Sequence, residues 1–330
     1  MRVLVIGLGS MGKRRIRNLQ SIRDIQIAGF DVNPQRSSLV NAEYGIPIFV
    51  NIGEALELFR PECFVISTSP ESHMEYAFLA AELGLHCFIE ASVTDSDRIL
   101  ELANLVETKP LIFAPSCTMR YFPGPRKIKE LISANAIGDI LTLNYQTGQY
   151  LPDWHPWENI QDFYVSKRDT GGAREIIPFE LTWINEIFGV PKLINCTKRK
   201  LSSLPADIDD YYHFVMEYSE GVIASIQIEV LSRPRATREM RILGSEGSIV
   251  FNGDTDSIKL MHIDNQTCEY MFEPGTKQSG YINPEEPYIL EMSDFILAAR
   301  SVDQSIFPNN LKADFNVLQI LNALEELAHE

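Results

Sequence analysis

Along the first third of the chain, apolar residues fall in short unbroken runs. Longer stretches separate them, in which apolar positions recur every three or four residues. The runs "RVLVI" (2–6), "IQIAGF" (25–30), "CFVIS" (63–67), "HCFIE" (86–90) and "LIFA" (111–114) read as buried strands. The stretches "MGKRRIRNLQ", "HMEYAFLAAELG" (73–84) and "SDRILELANLVE" (96–107) read as helices. Strand and helix alternating at this spacing predict a parallel sheet covered on both faces. From about residue 193 the pattern changes to strands with glycine-bounded turns: "KLINCTKRKL", "DYYHFVMEYSEG", "VIASIQIEVL" and "EMRILGSEGSIVF". That predicts an antiparallel sheet. The run "IASIQIEV" looks apolar on both faces, as if one met helices and the other a second subunit. Two amphipathic helices close the chain, within "PEEPYILEMSDFILAARS" and "NNLKADFNVLQILNALEELAHE".

The first strand runs directly into "GLGSMG", in which Gly7, Gly9 and Gly12 keep the spacing G-x-G-x-x-G and Ser10 and Met11 lie between them. A strand before it and a helix after it are the context that gives this pattern meaning. Gly7 then permits the tight turn, Gly9 lets a pyrophosphate approach the backbone, and Gly12 lets helix and strand pack closely. The anion sits against the amides at the helix start. Asp31, at the end of the second strand, is placed to accept both hydroxyls of an adenosine ribose, which favours NAD over NADP. Arg36 and the run Lys13, Arg14, Arg15 pull the other way, since an arginine holds a 2′-phosphate. The bland alternative is a glycine turn and a helix-capping aspartate.

At 330 residues the chain exceeds one ordinary core, so two domains are expected, 1–120 and 121–330. Hydrophobic and charged contents of 45% and 22% are those of a globular protein. A net charge of −16 argues against a nucleic-acid partner. No apolar run is long enough for a membrane span, and the opening nine residues lack the features of a secretory signal. Five cysteines without metal-type spacing suit free thiols in a cytoplasmic protein, and no metal is expected.

Several stretches taken together resemble the glucose–fructose oxidoreductase, inositol dehydrogenase and rhizopine catabolism family (Gfo/Idh/MocA). They are "VLVIGLGSMGKRRIRNL", "FVISTSPESHMEYAFLAAELGLHCFIEAS", "TMRYFPGPRKIKELISANAIGDIL", "TGGAREIIPFELTWINEIFG" and "RILGSEGSIVF", in the family's order. The resemblance implies a Rossmann domain followed by an α/β domain. The large, open, mostly antiparallel sheet of the second domain carries substrate on one face and often a neighbouring subunit on the other. A homodimer or homotetramer is therefore expected, with the last helix, about 309–328, packing back near the first domain. It implies hydride transfer between NAD(P) and a sugar or cyclitol, and it places Thr68, Ser69, Pro70 and His73 along the cofactor. His73 otherwise reads as a first-turn residue without a ligand. Glu90 matches the acid of the family's Glu-Lys-Pro, also on the cofactor side.

The departures matter more. After Glu90 come Ala91 and Ser92, so the lysine that polarises the reacting oxygen is absent. Aligned on Gly171 and Gly172, the second motif holds Glu175 in place of its aspartate and Phe179 in place of its histidine. Candidate replacements are Glu175, Lys167 and His155. His155 lies in "QYLPDWHPWENIQDFY" (149–164), where Trp154 and Trp157 suit the apolar faces of a sugar, or simply cover the core. "WHPWE" resembles a branch of the family met beside genes for nine-carbon bacterial surface sugars, which points to an amino or nucleotide-linked sugar. Arg120 and Tyr121 match the part of the family that faces the substrate cleft. Pro178 is expected in the first turn of the helix after the glycine pair. Two rival functions remain: a dinucleotide-binding sensor or partner subunit without turnover, and a lyase or glycosidase driven by transient oxidation.

Overall fold

A computed structural model describes residues 1–154, 156 and 159–328. The chain divides into two compact units, 1–118 with 285–318 and 119–284 with 319–330.

In the first unit, strands β1 (Arg2–Ile6), β2 (Gln26–Phe30), β3 (Ile48–Phe49), β4 (Cys63–Ile66), β5 (His86–Ile89) and β6 (Phe113–Pro115) form a parallel sheet in the order β3-β2-β1-β4-β5-β6. This is the doubly wound order of a Rossmann fold. Helices α1 (Ser10–Gln20), α2 (Pro34–Tyr44), a short α3 (Ile52–Glu54), α4 (His73–Leu83) and α5 (Ser96–Val106) make the crossovers. Val3–Ile6, Cys63–Ile66 and Cys87–Ile89 are buried, as unbroken apolar strands covered on both faces must be. The strand order reverses between β1 and β4, and there the loops leaving the two strands touch. A Cβ on Gly7 (φ +87°) would lie 2.6 Å from the Ser67 carbonyl oxygen. Only glycine fits that contact and that φ.

The same unit buries a cation. Arg15, on α1, is fully enclosed. Its Nε donates to Glu90 Oε1 at 2.6 Å and its Nη2 to Glu90 Oε2 at 2.9 Å. Nη1 lies 2.9 Å from Glu291 Oε2, on helix α8 (Glu286–Ser301) if helices are counted through α6 (Pro123–Ser133) and α7 (Ala173–Phe188) of the second unit. Burial opposes the charge, but the pull of Glu90 and Glu291 outweighs it and holds the guanidinium above its ordinary pKa. Glu291 also accepts from the Cys117 amide, Ser116 Oγ and Thr118 Oγ1, so it fixes the exit of β6.

The second unit is an eight-stranded sheet in the order β14-β13-β12-β11-β7-β10-β9-β8. Its strands are β7 (Ile140–Gly148), β8 (Lys192–Arg199), β9 (Tyr211–Glu217), β10 (Ile223–Glu229), β11 (Thr237–Gly244), β12 (Gly247–Asn252), β13 (Ser257–His262) and β14 (Thr267–Met271). Pairing is antiparallel except between β7 and β10. Helix α7 packs on β9 and β10, and α6 on β13. The final helix, α9 (Leu311–Leu327), contributes residues to Leu318 to the first unit and the remainder to the second.

Two expectations are corrected. Beyond the exposed Ile223, the second face of β10 is polar: Ala224, Ile226 and Ile228 are buried on one side, whereas Ser225 and Gln227 line a concavity of about 450 Å³ whose walls mix polar residues such as Asn144 and His213 with Val250 and Phe251. Strand periodicity sends the isoleucines of "IQIE" to one side. Pro178 sits inside α7, past its first turn, because the helix begins at Ala173. It leaves the Arg174 carbonyl without the usual helical donor.

Removing one member of a buried ion cluster strands the rest in a poor solvent. Arg15→Met is expected to lower the unfolding free energy by about 3–5 kcal/mol in a urea titration, and a loss below roughly 1 kcal/mol would contradict the role given to the cluster.

Candidate functional site

The crevice at the strand reversal is built for a dinucleotide. Gly9 precedes α1 as its N-cap, with no side-chain cap and no acid in the first turn. A Cβ on Gly9 would meet nothing within 4 Å, so the space above the loop is open. A Cβ on Gly12 would lie 1.9 Å from the Gly7 carbonyl oxygen, which ties helix to strand. Ser10 and Met11 form the start of α1 beside this opening. Asp31 is buried; its Oδ2 accepts the Leu8 amide at 2.8 Å and its Oδ1 the Asn33 amide at 2.8 Å. The acid thus holds the glycine loop. An anion at the α1 start and hydroxyls at Asp31 fit these residues.

The basic residues near this crevice are mostly spoken for. Lys13 pairs with Glu43, Arg14 with Glu285 and Arg15 with Glu90. Arg36 is 44% exposed and bonds Asp31 Oδ2 at 3.2 Å, so a 2′-phosphate would have to part it from the carboxylate.

Along β4 and β5 the chain uses its residues internally. His73 is buried, with Nε2 3.1 Å from the Thr68 carbonyl oxygen and Nδ1 3.2 Å from Ser92 Oγ. Burial lowers its pKa, so the ring is neutral and acts as a brace between the loops after β4 and β5. Thr68 and Ser69 are half-buried and Pro70 is buried at the start of that loop. Glu90, besides binding Arg15, accepts from Ser67 Oγ at 3.2 Å. Ser92 therefore steadies His73, a link that the sequence reading missed because only the fold brings residues 73 and 92 together.

In the second unit, one candidate for proton transfer, Glu175, lies where α7 starts beside one edge of the sheet. The Ala173 amide donates to Asp209, the Val230 amide to Asp210 and the Leu151 amide to Val230, which places the start of α7 in line with the ends of β10 and β7. Glu175 is in the first turn of α7. Its Oε1 accepts from the Tyr164 hydroxyl at 2.7 Å, and its Oε2 is buried with no partner among the described residues. Burial pushes its pKa up to about 8, against the pull of the Tyr164 bond. The Trp154 indole N–H is likewise buried without a described partner. Tyr150, on the same edge, carries Arg233 over its ring at 4.8 Å.

The other expected site residues are placed differently. Lys167 is exposed. Arg120 donates from Nε and Nη2 to the Thr182 carbonyl of α7, and Tyr121 is buried. His155 and Trp157 lie outside the described residues. Among the described residues no group of three or more His, Cys, Asp or Glu could hold a metal ion, and no helix is long and apolar enough to cross a membrane.

Residues 1–115 match the family profile described as "Oxidoreductase family, NAD-binding Rossmann fold", and residues 126–250 the "GFO/IDH/MocA C-terminal domain". The chain belongs to the Gfo/Idh/MocA family. Its first unit is an NAD-binding Rossmann domain. Among curated relatives, a UDP-N-acetylglucosamine 3-dehydrogenase of Acidithiobacillus ferrooxidans is 30% identical over 132 residues, 39% of this chain and 41% of that protein. The chain therefore matches less than half the length of this relative. Among solved structures, levoglucosan dehydrogenase with NADH and levoglucosan superposes at TM-score 0.84 and 19% identity, over 99% of this chain and 96% of that one. An oxidoreductase from Agrobacterium radiobacter with NAD+, L-tartaric acid and magnesium gives 0.83 and 12%, over 99% and 95%. At these identities the superpositions establish a shared fold.

The Asp31 geometry predicts a preference that calorimetry can read. Wild type is expected to bind NAD at least about tenfold more tightly than NADP, and Asp31→Ala to weaken NAD while releasing Arg36 for the 2′-phosphate. Tighter binding of NADP by the wild type would contradict this.

Proposed function

We propose that this Gfo/Idh/MocA protein transfers hydride between NAD(P) and a sugar or sugar derivative, with Glu175 as the group that gives or takes the hydroxyl proton. The amino or nucleotide-linked sugars of bacterial surface polysaccharides are the substrate class the "WHPWE" segment favours. The observation that carries the reading is Glu175 itself: a carboxyl with one oxygen braced by Tyr164 and the other buried without a described partner. A buried acceptor in that condition is costly until a ligand pairs with it. A polyhydroxylated ring does so, and Trp154 at the same edge offers an indole N–H with no partner among the described residues.

Bound NAD supplies the hydride acceptor, and NADH the donor. The chain's own contribution is to the oxygen. In oxidation, the carboxylate of Glu175 takes the hydroxyl proton as the carbon loses hydride. In reduction, the neutral carboxyl returns a proton to the oxygen that becomes negative. With its pKa pushed up to about 8, Glu175 is mostly protonated at neutral pH, a state suited to reduction. Ala91 carries no charge, so this unit presents no lysine at the position where the family has one.

A specific observation supports one rival: with Ala91 and Phe179 at two proton-handling positions, the protein would bind the dinucleotide and sugar without turnover. We also propose self-association as a homodimer or homotetramer through the open face of the second sheet. Sedimentation equilibrium at micromolar concentration is expected to show the oligomer, and a monomer would reject it.

Turnover is tested by following NADH absorbance with UDP-N-acetylglucosamine, levoglucosan and a panel of keto-sugars. Reduction is expected to fall as pH rises through about 8, where Glu175 loses its proton, and oxidation to rise over the same range. Glu175→Gln is expected to lower kcat by about 10²–10⁴-fold in both directions with NAD binding unchanged. A blank across the panel with cofactor-loaded protein would favour the rival.

A further inference from the structure

Glu175 offers two oxygens, and the fold treats them differently. Oε1 accepts from the Tyr164 hydroxyl at 2.7 Å, whereas Oε2 is buried with no partner among the described residues. Tyr164 comes from a short turn, Tyr164–Ser166, that is pinned to the start of α7. The Gly172 amide donates to the Val165 carbonyl at 3.1 Å, and Thr170 Oγ1 to the Tyr164 carbonyl at 2.8 Å. Gly171 makes that docking possible, since a Cβ there would lie 2.1 Å from the Val165 carbonyl oxygen. The glycine pair therefore delivers the tyrosine to the acid.

We propose that Tyr164 is a positioning residue that selects Oε2 of Glu175 as the oxygen that hydrogen-bonds a substrate hydroxyl and exchanges its proton. The argument rests on the reading of Glu175 given above. A neutral carboxyl carries its proton on one oxygen and accepts best at the other. With the tyrosine donating to Oε1, the proton resides on Oε2, the oxygen left to pair with a substrate hydroxyl. Among the described residues, the neighbouring arginines do not override this choice. Arg174, next on the helix, turns to Glu325 and the Asp169 carbonyl, and Arg168 pairs with Asp207 and Asp209. Among the described residues, burial and the tyrosine bond are the influences on the acid's proton affinity.

The test needs no substrate. Carbon-13 NMR of the full chain, labelled at glutamate carboxyls, follows the resonance that Glu175→Gln removes. In wild type it is expected to titrate with a midpoint near pH 8. Tyr164→Phe removes a bond that favours the carboxylate, so the midpoint should rise by about one pH unit. Thr170→Val, which frees the turn and leaves both side chains intact, should shift it in the same direction by less. An unchanged midpoint in Tyr164→Phe overturns the proposal; should that variant not fold, an unchanged midpoint in Thr170→Val does so. A sugar panel that gives no NADH turnover beside the expected NMR shifts would sink the functional reading and leave the positioning role standing.

Discussion

A positive charge sealed from water organises the Rossmann unit. Arg15 has no solvent to share, so it must satisfy its donors on carboxylates, and the acids it finds come from separate parts of the chain. Glu90 ends β5, and Glu291 lies on α8, which in turn holds the amide of Cys117 after β6. The glycine helix, two strand ends and a late helix are thereby fixed to one point. Such a cluster is intolerant of partial loss, since a single missing partner leaves an unpaired charge in a low-dielectric interior.

That arrangement bears on the missing lysine. In this chain the carboxyl end of β5 is a structural junction: Glu90 is committed to Arg15 and Ser67, and Ser92 to His73. Ala91 stands between them. A lysine at 91 would follow directly on a carboxylate that the Arg15 guanidinium already holds. On the proposed reading, proton chemistry has therefore moved to the second unit. There burial alone can keep a carboxyl neutral near pH 7, and a tyrosine rather than a charge sets its orientation.

The glycines serve one physical purpose in both units. Gly7 and Gly171 each remove a Cβ where two backbone segments approach closer than any side chain allows. At Gly7 the contact joins the loops after β1 and β4; at Gly171 it seats the turn that carries Tyr164. A spacing of glycines is visible in a sequence, but what each one touches is not.

The strand runs, the helix periods, the glycine turn and Asp31 were legible in the sequence because each depends on neighbours within a few residues or on a fixed local period. Glu175 was legible as an acid beside a glycine pair, though not its state: its raised proton affinity comes from burial, which no local pattern records. Pro178 was misplaced by a turn because helix starts depend on caps, and the polar face of β10 was hidden in a run that is apolar only at alternate positions. What tertiary structure alone decided are the long-range pairings. Arg15 meets Glu90 and Glu291, His73 meets Ser92, and Tyr164 meets Glu175 only after the backbone has folded. Directional bonds between distant side chains are fixed by the positions of strand ends and helix starts in space.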